Sequence, residues 1–157
     1  MYGASVWYEM MKNEYARKII NGCQRIVLYA CLRVCRTVCV EAMQVLMGVL
    51  PWDLEVMKRA IAYKLRKNVC MNDIDVLNDR EVEENGVKVC MKLVEDRLMN
   101  EWQNRWNACE KGRVTFENIR NVRHVRKKEL FDPGVYLYFL LTGHGSLNEY
   151  LKRRNLC

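Results

Sequence analysis

The chain has 157 residues, half of them hydrophobic, and a formal net charge of +7. This length and apolar content are sufficient for a sizeable core, so one compact unit is the default expectation. No run approaches about 18 uninterrupted apolar residues, and the first residues do not form a basic-then-apolar secretion signal, so we expect no membrane span and an intracellular protein.

The first half of the chain predicts four helices. Apolar residues at three- and four-residue spacing indicate a first helix over residues 5–21 with Asn21-Gly22 as its C-terminal stop, and a second helix after it. The third helix is predicted to end at Gly48. Pro51 opens the fourth, which has acidic residues in its first turn and basic residues in its last.

The middle of the chain changes character twice. Residues 72–85 contain six carboxylates and few large apolar side chains, which is typical of an exposed loop or a frayed helix. From Val87 the helical period returns over about five turns, on a face that includes Trp102 and Trp106. We expect these two tryptophans to belong to the core, although an exposed indole would be able to stack on a base.

The last third predicts a break, a short connector and another helix. Lys111-Gly112-Arg113 ends the long helix, and residues 114–116 suit a short extended piece. A turn precedes residues 135–141, whose continuous apolar run after a proline predicts a buried helix. The predicted fold class is therefore mainly α, an irregular multi-helix bundle with at most a short extended or hairpin piece near residues 113–125.

Charge is distributed unevenly along these elements. Residues 1–71 carry 11 Lys/Arg against 5 Asp/Glu, residues 72–109 carry 5 against 9, and residues 110–157 carry 10 against 5. This pattern favours three segments: a basic helical segment (1–71), an acidic loop (72–85), and a part with the long helix, a basic connector and a glycine-flanked corner (86–157). Basic flanks favour a polyanion partner, but a solvated charged surface is the alternative.

The glycine-flanked corner lies near the end of the chain. Gly143 and Gly145 bracket His144, which allows close backbone approach or positive φ around one imidazole. Ser146 and Glu149 have the spacing of a capping box, so a helix is expected to begin there. His144 is more consistent with a structural histidine that bonds local backbone than with a proton shuttle or metal ligand.

The eight cysteines mostly occupy apolar positions, and no C-x-x-C pair occurs, so we expect buried thiols rather than disulfides. Cys31, Cys35 and Cys39 repeat every four residues and would form one stripe on a continuous helix. A metal site there would need a histidine or a second thiol cluster nearby, and the sequence shows neither. We therefore predict no metal and no other cofactor.

Catalytic motifs are missing from the sequence. There is no G-x-S-x-G elbow, no phosphate-binding G-x-x-x-x-G-K-[ST] loop and no G-x-G-x-x-G dinucleotide fingerprint. Two-metal phosphoryl transfer needs carboxylates on a rigid scaffold, whereas the acidic residues concentrate in the least structured segment. We predict no catalytic residue and no small-molecule substrate.

Several separated motifs occur in the order found in one family. The most specific are Leu141-Thr142-Gly143-His144-Gly145 before Tyr150-Leu151, and Gly48-Val49-Leu50-Pro51; weaker ones are Tyr2-Gly3-Ala4 with Val6-Trp7, Arg36-Thr37-Val38, Glu41-Ala42, Asp53-Leu54, and Trp102 and Trp106 with Lys111-Gly112-Arg113-Val114-Thr115. With these motifs the chain resembles the C-terminal part of the Pol protein of R1-type non-LTR retrotransposons of arthropods, downstream of the reverse-transcriptase palm.

The resemblance implies a fragment of an RNA-directed DNA polymerase polyprotein, nuclear if expressed, in which residues 1–71 follow the polymerase thumb. The family's Tyr-x-Asp-Asp polymerase motif does not occur here, nor does its endonuclease. In the family a cysteine–histidine zinc knuckle follows the Gly-His-Gly helix, and Cys157 matches its first ligand. Because a structural zinc needs four ligands, one thiol cannot hold it, and no metal is expected.

The resemblance and the basic flanks together suggest a non-catalytic region that binds an RNA or DNA backbone during target-primed reverse transcription. The residues predicted to contact phosphates are Arg113, Arg120, Arg123, Arg126, Lys127, Lys128, Lys152, Arg153 and Arg154, with Arg25, Arg33 and Arg36 as further candidates. The other expected partner is the remainder of the polyprotein. The alternatives are a purely structural connector that docks on the polymerase domain, and a decayed, non-functional copy.

Overall fold

A computed structural model describes residues 3–67, 69, 76, 77, 82, 86–126 and 134–143. All regular structure in these residues is helical, and they include no strand. The prediction of a mainly α fold is therefore confirmed. The predicted acidic loop lies almost entirely outside the described residues.

The helices follow the chain with short connections, apart from the interval between α4 and α5. They are α1 (Ala4–Trp7), a 3-10 helix (Glu9–Lys12), α2 (Glu14–Leu32), α3 (Val40–Met47), α4 (Trp52–Lys67), α5 (Val87–Ala108), α6 (Arg113–Asn118), α7 (Val122–Arg126) and α8 (Gly134–Thr142). None of these described helices combines the length and the apolar composition that a membrane crossing requires.

Helix α2 corrects the predicted break at Asn21-Gly22. The helix passes through both residues, and Asn21 makes a tertiary contact: its Nδ2 donates to Asp53 Oδ1 at 3.0 Å, and the Asp53 N–H donates back at 3.4 Å. Beyond Gly22 the helix buries Leu28 and Leu32. Their burial stabilises the helix by more than the roughly 1 kcal/mol that an internal glycine costs, so the predicted stop was wrong.

The predicted stripe of thiols does not form. Helix α2 ends at Leu32, so Cys35 and Cys39 lie in the connection to α3 and cannot continue a helical face. Cys23 and Cys31, which were expected to be buried, are exposed on α2. Hydrophobic composition alone did not distinguish the outer face of this helix from its inner face.

The chain divides into two compact units, each built from two stretches. The first comprises residues up to Asn21 together with Trp52–Trp102, and the second comprises Gly22–Pro51 together with the residues from Gln103 onward. The predicted segments 1–71, 72–85 and 86–157 are linear, whereas each unit draws on stretches from both sides of the acidic loop. The predicted division into linear segments refers to the order of regions along a polyprotein, and it stays a prediction.

In the first unit, α1 packs against α4. Tyr8, which follows α1, is buried, and the ammonium of Lys64 on α4 lies 5.8 Å from the centre of its ring. Lys58 on α4 pairs with Glu95 on α5 at 3.0 Å. The core of this unit includes Leu54, Ile61, Leu65, Val94, Leu98 and Trp102.

In the second unit, two buried glutamines connect α2, α3 and the segment after α3. Gln44 Nε2 donates to Gln24 Oε1 at 2.8 Å, and Gln24 Nε2 donates to the Leu50 carbonyl at 2.8 Å. Since each buried amide finds a partner, the pair fixes the Gly-Val-Leu-Pro segment without leaving these contacts unmade. The apolar core of this unit includes Leu32, Val38, Met43, Val45, Trp106 and Val122.

Residues 113–118 and 122–126 are helical, so the predicted extended piece at 114–116 does not occur. Gly112, the residue before α6, has φ +71° and reverses the chain after α5, and its carbonyl accepts from the Phe116 N–H at 3.0 Å. The Phe116 ring then lies 5.6 Å from the Trp106 ring. This contact between the two rings favours a helical turn over an extended chain. The sequence does not reveal the contact, because it forms across the chain reversal.

Replacing Gly112 by alanine should destabilise the protein by about 2 kcal/mol or more. The left-handed backbone penalises any side chain, and an added Cβ would lie 2.8 Å from Cys39 Sγ and 3.2 Å from Ala42 Cβ. Gly22→Ala is the matched control, because Gly22 is helical and meets nothing within 4 Å; it should stabilise by about 0.5–1 kcal/mol. Urea unfolding measures both, and equal stability of the two variants would contradict this packing.

Candidate nucleic-acid interface

The basic segment, defined here as residues 119–126, is held by one side chain of α5. Gln103 Nε2 donates to the Arg120 carbonyl at 2.8 Å, and Gln103 Oε1 accepts from the Val122 N–H at 2.9 Å. A primary amide can donate and accept at once, which suits it to bridge two peptide groups. The side-chain amide of Gln103 therefore fixes the backbone between α6 and α7 through both its nitrogen and its oxygen.

Trp106 fixes the preceding peptide. Its Nε1 donates to the Ile119 carbonyl at 2.8 Å, and the residue is only 1% exposed. Trp102 is 2% exposed in the other unit. The prediction that both tryptophans belong to the core is thus confirmed, and neither indole is available to stack on a base.

Gly48 brings α3 close to α7. It ends α3 with φ +62°, and a Cβ added there would lie 3.3 Å from the Val125 carbonyl oxygen and 3.5 Å from Arg126 Cα. Any larger residue at position 48 would push α7 away from α3. Two features that the sequence presents separately, the Gly-Val-Leu-Pro segment and the basic connector, therefore meet in the structure.

Four of the predicted phosphate-binding residues fall in the described part of the chain. Arg113 and Arg120 are exposed, whereas Arg123 and Arg126 are partly buried. The Arg113 guanidinium lies 4.0 Å from the centre of the Phe116 ring and donates to the Cys109 carbonyl at 3.2 Å, so its position is defined. The other five lie outside the described residues: Lys127, Lys128, Lys152, Arg153 and Arg154.

The second unit is strongly basic. Its described residues carry nine Lys/Arg against three Asp/Glu. Arg25, Arg33 and Arg36 are exposed there, and Arg25 donates to the Arg36 carbonyl at 2.6 Å. Lys111 is exposed and lies two residues from Arg113, but it was not among the predicted phosphate contacts. Gln103 was not predicted either, because its backbone hydrogen-bond partners lie 17 and 19 residues away in the sequence.

The predicted glycine corner lies partly within the described residues. Gly143 has φ +66°, and a Cβ there would approach the Val114 side chain to 3.0 Å, so α8 ends against α6. This confirms at Gly143 the positive φ and close approach that the sequence predicted. Tyr138 is buried. The rest of the corner (His144, Gly145, Ser146 and Glu149) lies outside the described residues, as does Cys157.

A group that sequence analysis missed lies in the second unit. Cys39, Glu41 and Cys109 place their ligating atoms within 4.8 Å of one another. Burial raises the pKa of the Cys39 thiol to about 11, with smaller contributions in the same direction from Glu41 and Cys109. Burial also raises the pKa of Cys109, and Glu41 adds to it. The two cysteines are separated by about 70 residues, so no local spacing indicates the group.

Known proteins similar to this chain come from retrotransposons. A "Retrovirus-related Pol polyprotein from type-1 retrotransposable element R1 2" of Nasonia vitripennis is 48% identical over 155 residues, which are 99% of this chain and 38% of the relative. The corresponding R1 polyprotein of Bradysia coprophila is 46% identical over 99% of this chain and 15% of its own length. The chain corresponds to a segment of an R1-type retrotransposon Pol polyprotein.

The chain matches only part of the length of each of these relatives. A third R1 Pol polyprotein, also from Nasonia vitripennis, is 45% identical over 99% of this chain and 42% of its own length. The chain thus spans less than half the length of each of these R1 Pol relatives. No family model matches the chain, and no solved structure matches it.

Gln103→Ala should release the basic segment. The change removes both backbone contacts, so we expect a loss of about 1–2 kcal/mol in stability and faster amide hydrogen exchange over residues 119–126. Asn104→Ala is the matched control, since Asn104 is exposed on the same helix; it should change stability by less than about 0.5 kcal/mol. Exchange in the Gln103 variant that is as slow as in the unmodified chain would show that other contacts hold this segment.

Cys39 should be alkylated slowly. With a pKa of about 11, about one Cys39 in a thousand is a thiolate at pH 8, against about a quarter for an ordinary thiol, and higher intrinsic reactivity offsets this only in part. In chelator-treated, reduced protein we expect iodoacetamide to modify Cys39 at least about tenfold more slowly than exposed Cys23, with the rate still rising towards pH 11. Peptide mass spectrometry measures each site, and equal rates would contradict the burial of Cys39.

Proposed function

We propose that this segment binds the phosphate backbone of RNA or DNA beside the polymerase of an R1-type element during target-primed reverse transcription, without a catalytic role of its own. The observation that carries the proposal is the basic segment, whose backbone is fixed by Gln103 and Trp106. A preorganised row of arginines loses less entropy on binding than a flexible tail.

Charge supports the same assignment. The arginines of the basic segment, Arg120, Arg123 and Arg126, belong with Arg113 and Lys111 to a unit whose described residues hold three times as many cations as anions. Contacts of this kind are electrostatic and independent of sequence, because each neutralised phosphate releases condensed counterions. Contacts by the four described arginines that were predicted to bind phosphates, Arg113, Arg120, Arg123 and Arg126, give a slope of about −3 to −4 in log K against log salt concentration for single or double strands.

Arg120→Gln with Arg123→Gln should reduce that slope by about 2 and weaken binding uniformly across sequences. A filter-binding titration with single-stranded RNA and duplex DNA, repeated at several salt concentrations, measures both effects. The matched control is Lys12→Gln with Lys18→Gln, which removes the same charge from the first unit, where the two lysines pair with Glu9 and Glu14 at 3.0 and 2.8 Å.

The control variant should keep nearly the full slope. If both double variants lose affinity equally, overall charge rather than the basic segment explains binding. If the unmodified chain retains neither nucleic acid at low salt, the proposed function is wrong.

Docking on the rest of the polyprotein is a second candidate, and the outer face of α2 favours it. Tyr15, Ile19 and Ile26 are 72%, 51% and 71% exposed, and with Cys23 and Tyr29 they recur at three- and four-residue spacing along one side of the helix. A continuous exposed apolar stripe of this kind is typical of a surface that another protein covers. The occupant we propose is the upstream part of the polyprotein, because this segment is only 38% and 15% of the length of two matched relatives and resembles a C-terminal part.

Ile19→Lys with Ile26→Lys should abolish binding of this chain to an upstream polyprotein segment supplied separately, since charges on the stripe cannot be buried there. Sedimentation of the mixed proteins measures the complex. The variant with glutamine at positions 120 and 123 serves as the control and should still bind. A complex that survives both lysines would exclude the α2 stripe as the docking surface.

A further inference from the structure

Cys39, Glu41 and Cys109 form a compact group, which we call the thiol cluster. Its two sulfurs and one carboxylate oxygen lie within 4.8 Å of one another. The three residues are contributed by two places in the second unit: the N-terminus of α3, where Cys39 is the residue before the helix and Glu41 lies in its first turn, and the end of α5, which Cys109 follows directly.

The turn between α5 and α6 closes against the cluster. Cys109 Sγ donates to the Lys111 carbonyl at 3.1 Å. Gly112 in the same turn has φ +71°, and a Cβ there would lie only 2.8 Å from Cys39 Sγ. Only a glycine allows the backbone to lie this close to the sulfur, so the position of Cys39 relative to the turn is tightly constrained.

The spacing fits a tetrahedral metal ion. Two sulfurs at about 2.3 Å from a zinc ion lie about 3.8 Å apart at the tetrahedral angle, and a sulfur and a carboxylate oxygen lie slightly closer. The cluster spans at most 4.8 Å, so the two sulfurs would need to approach by at most about 1 Å and a sulfur and the carboxylate oxygen by at most about 1.3 Å. Side-chain rotation alone supplies a movement of that size.

We propose that the thiol cluster binds one thiophilic divalent cation, Zn²⁺ by preference, through Cys39, Cys109 and Glu41, with the fourth position open to water or another ligand. Thiolate ligands select zinc over magnesium and calcium, which prefer sites made of oxygen alone. Two thiolates and a carboxylate together carry three negative charges and so leave the occupied site singly negative.

The proposed ion would connect the start of α3 with the turn that leads into α6 and the basic segment. It differs from the zinc knuckle implied by the family resemblance, because Cys157 is not one of its ligands. It does not depend on the proposed nucleic-acid binding: the metal can bind whether or not the arginines contact phosphates, and each has its own assay.

The test is a Zn²⁺ titration of the full 157-residue chain, reduced with a phosphine, in competition with a chromogenic chelator. X-ray absorption spectroscopy of the zinc-loaded protein then identifies the atoms bound to the metal. We expect one tight equivalent with two sulfur neighbours. Cys39→Ser and Cys109→Ser should each weaken binding at least about tenfold, and Glu41→Gln by on the order of tenfold. Circular dichroism checks that each variant is folded, and the absorption spectrum of the unmodified chain does not depend on any variant.

Cys23→Ser with Cys31→Ser and, separately, Cys157→Ser are the matched controls, because they remove thiols outside the cluster; both should keep the tight equivalent. Absence of a tight equivalent, a site with no sulfur neighbour, or loss of zinc in a control but not in Cys39→Ser would each overturn the proposal. Failure of the reduced chain to bind zinc while Cys39 and Cys109 form a disulfide in air would also overturn it, in favour of a redox pair.

Discussion

The hydrogen bond from the Trp106 indole to the Ile119 carbonyl is the interaction on which the second unit depends. A buried indole N–H without an acceptor costs about 1–3 kcal/mol, so burial of this ring requires the chain to return to it. The return passes through Gly112 and places Phe116 against the indole. Once Ile119 is fixed, Gln103 on the same helix can bond the two peptides that follow.

Several consequences follow from this arrangement. The backbone of the basic segment is positioned by two neutral side chains, Gln103 and Trp106. Its far end meets Gly48, where the absence of a side chain lets α7 approach α3. The turn that brings the chain back to Trp106 also carries Cys109 to Cys39 and Glu41. One core contact thus underlies both the proposed phosphate-binding surface and the proposed metal site.

Local sequence patterns predicted the features that depend on local physics. The period of α5, the stop at Gly48, the start of α4 after Pro51 and the positive φ of Gly143 each follow from residue type and spacing. The predicted stop at Asn21-Gly22 failed because a tertiary partner, Asp53, engages the asparagine. The prediction of an extended piece near residue 115 was wrong because the tilted contact between the Phe116 and Trp106 rings forms across a chain reversal, which local sequence does not show.

The candidate site was only half visible in the sequence for the same reason. Arginine spacing identified the cations, but the amide of Gln103 that holds their backbone has no local signature. Cys39 and Cys109 were each assigned to the core, because a pair separated by some 70 residues has no spacing rule. Similarity to R1 Pol polyproteins along 99% of the chain places the segment within a polyprotein.

The proposed contact between the basic segment, held by α5, and a nucleic-acid backbone can be mapped residue by residue. The most direct measurement is an NMR titration of the labelled chain with a short single-stranded RNA at low salt, followed by addition of salt. We expect the amide signals of residues 119–126 to shift first and to return as the salt concentration rises. Shifts confined to the first unit, or shifts at residues 119–126 that do not respond to salt, would contradict it.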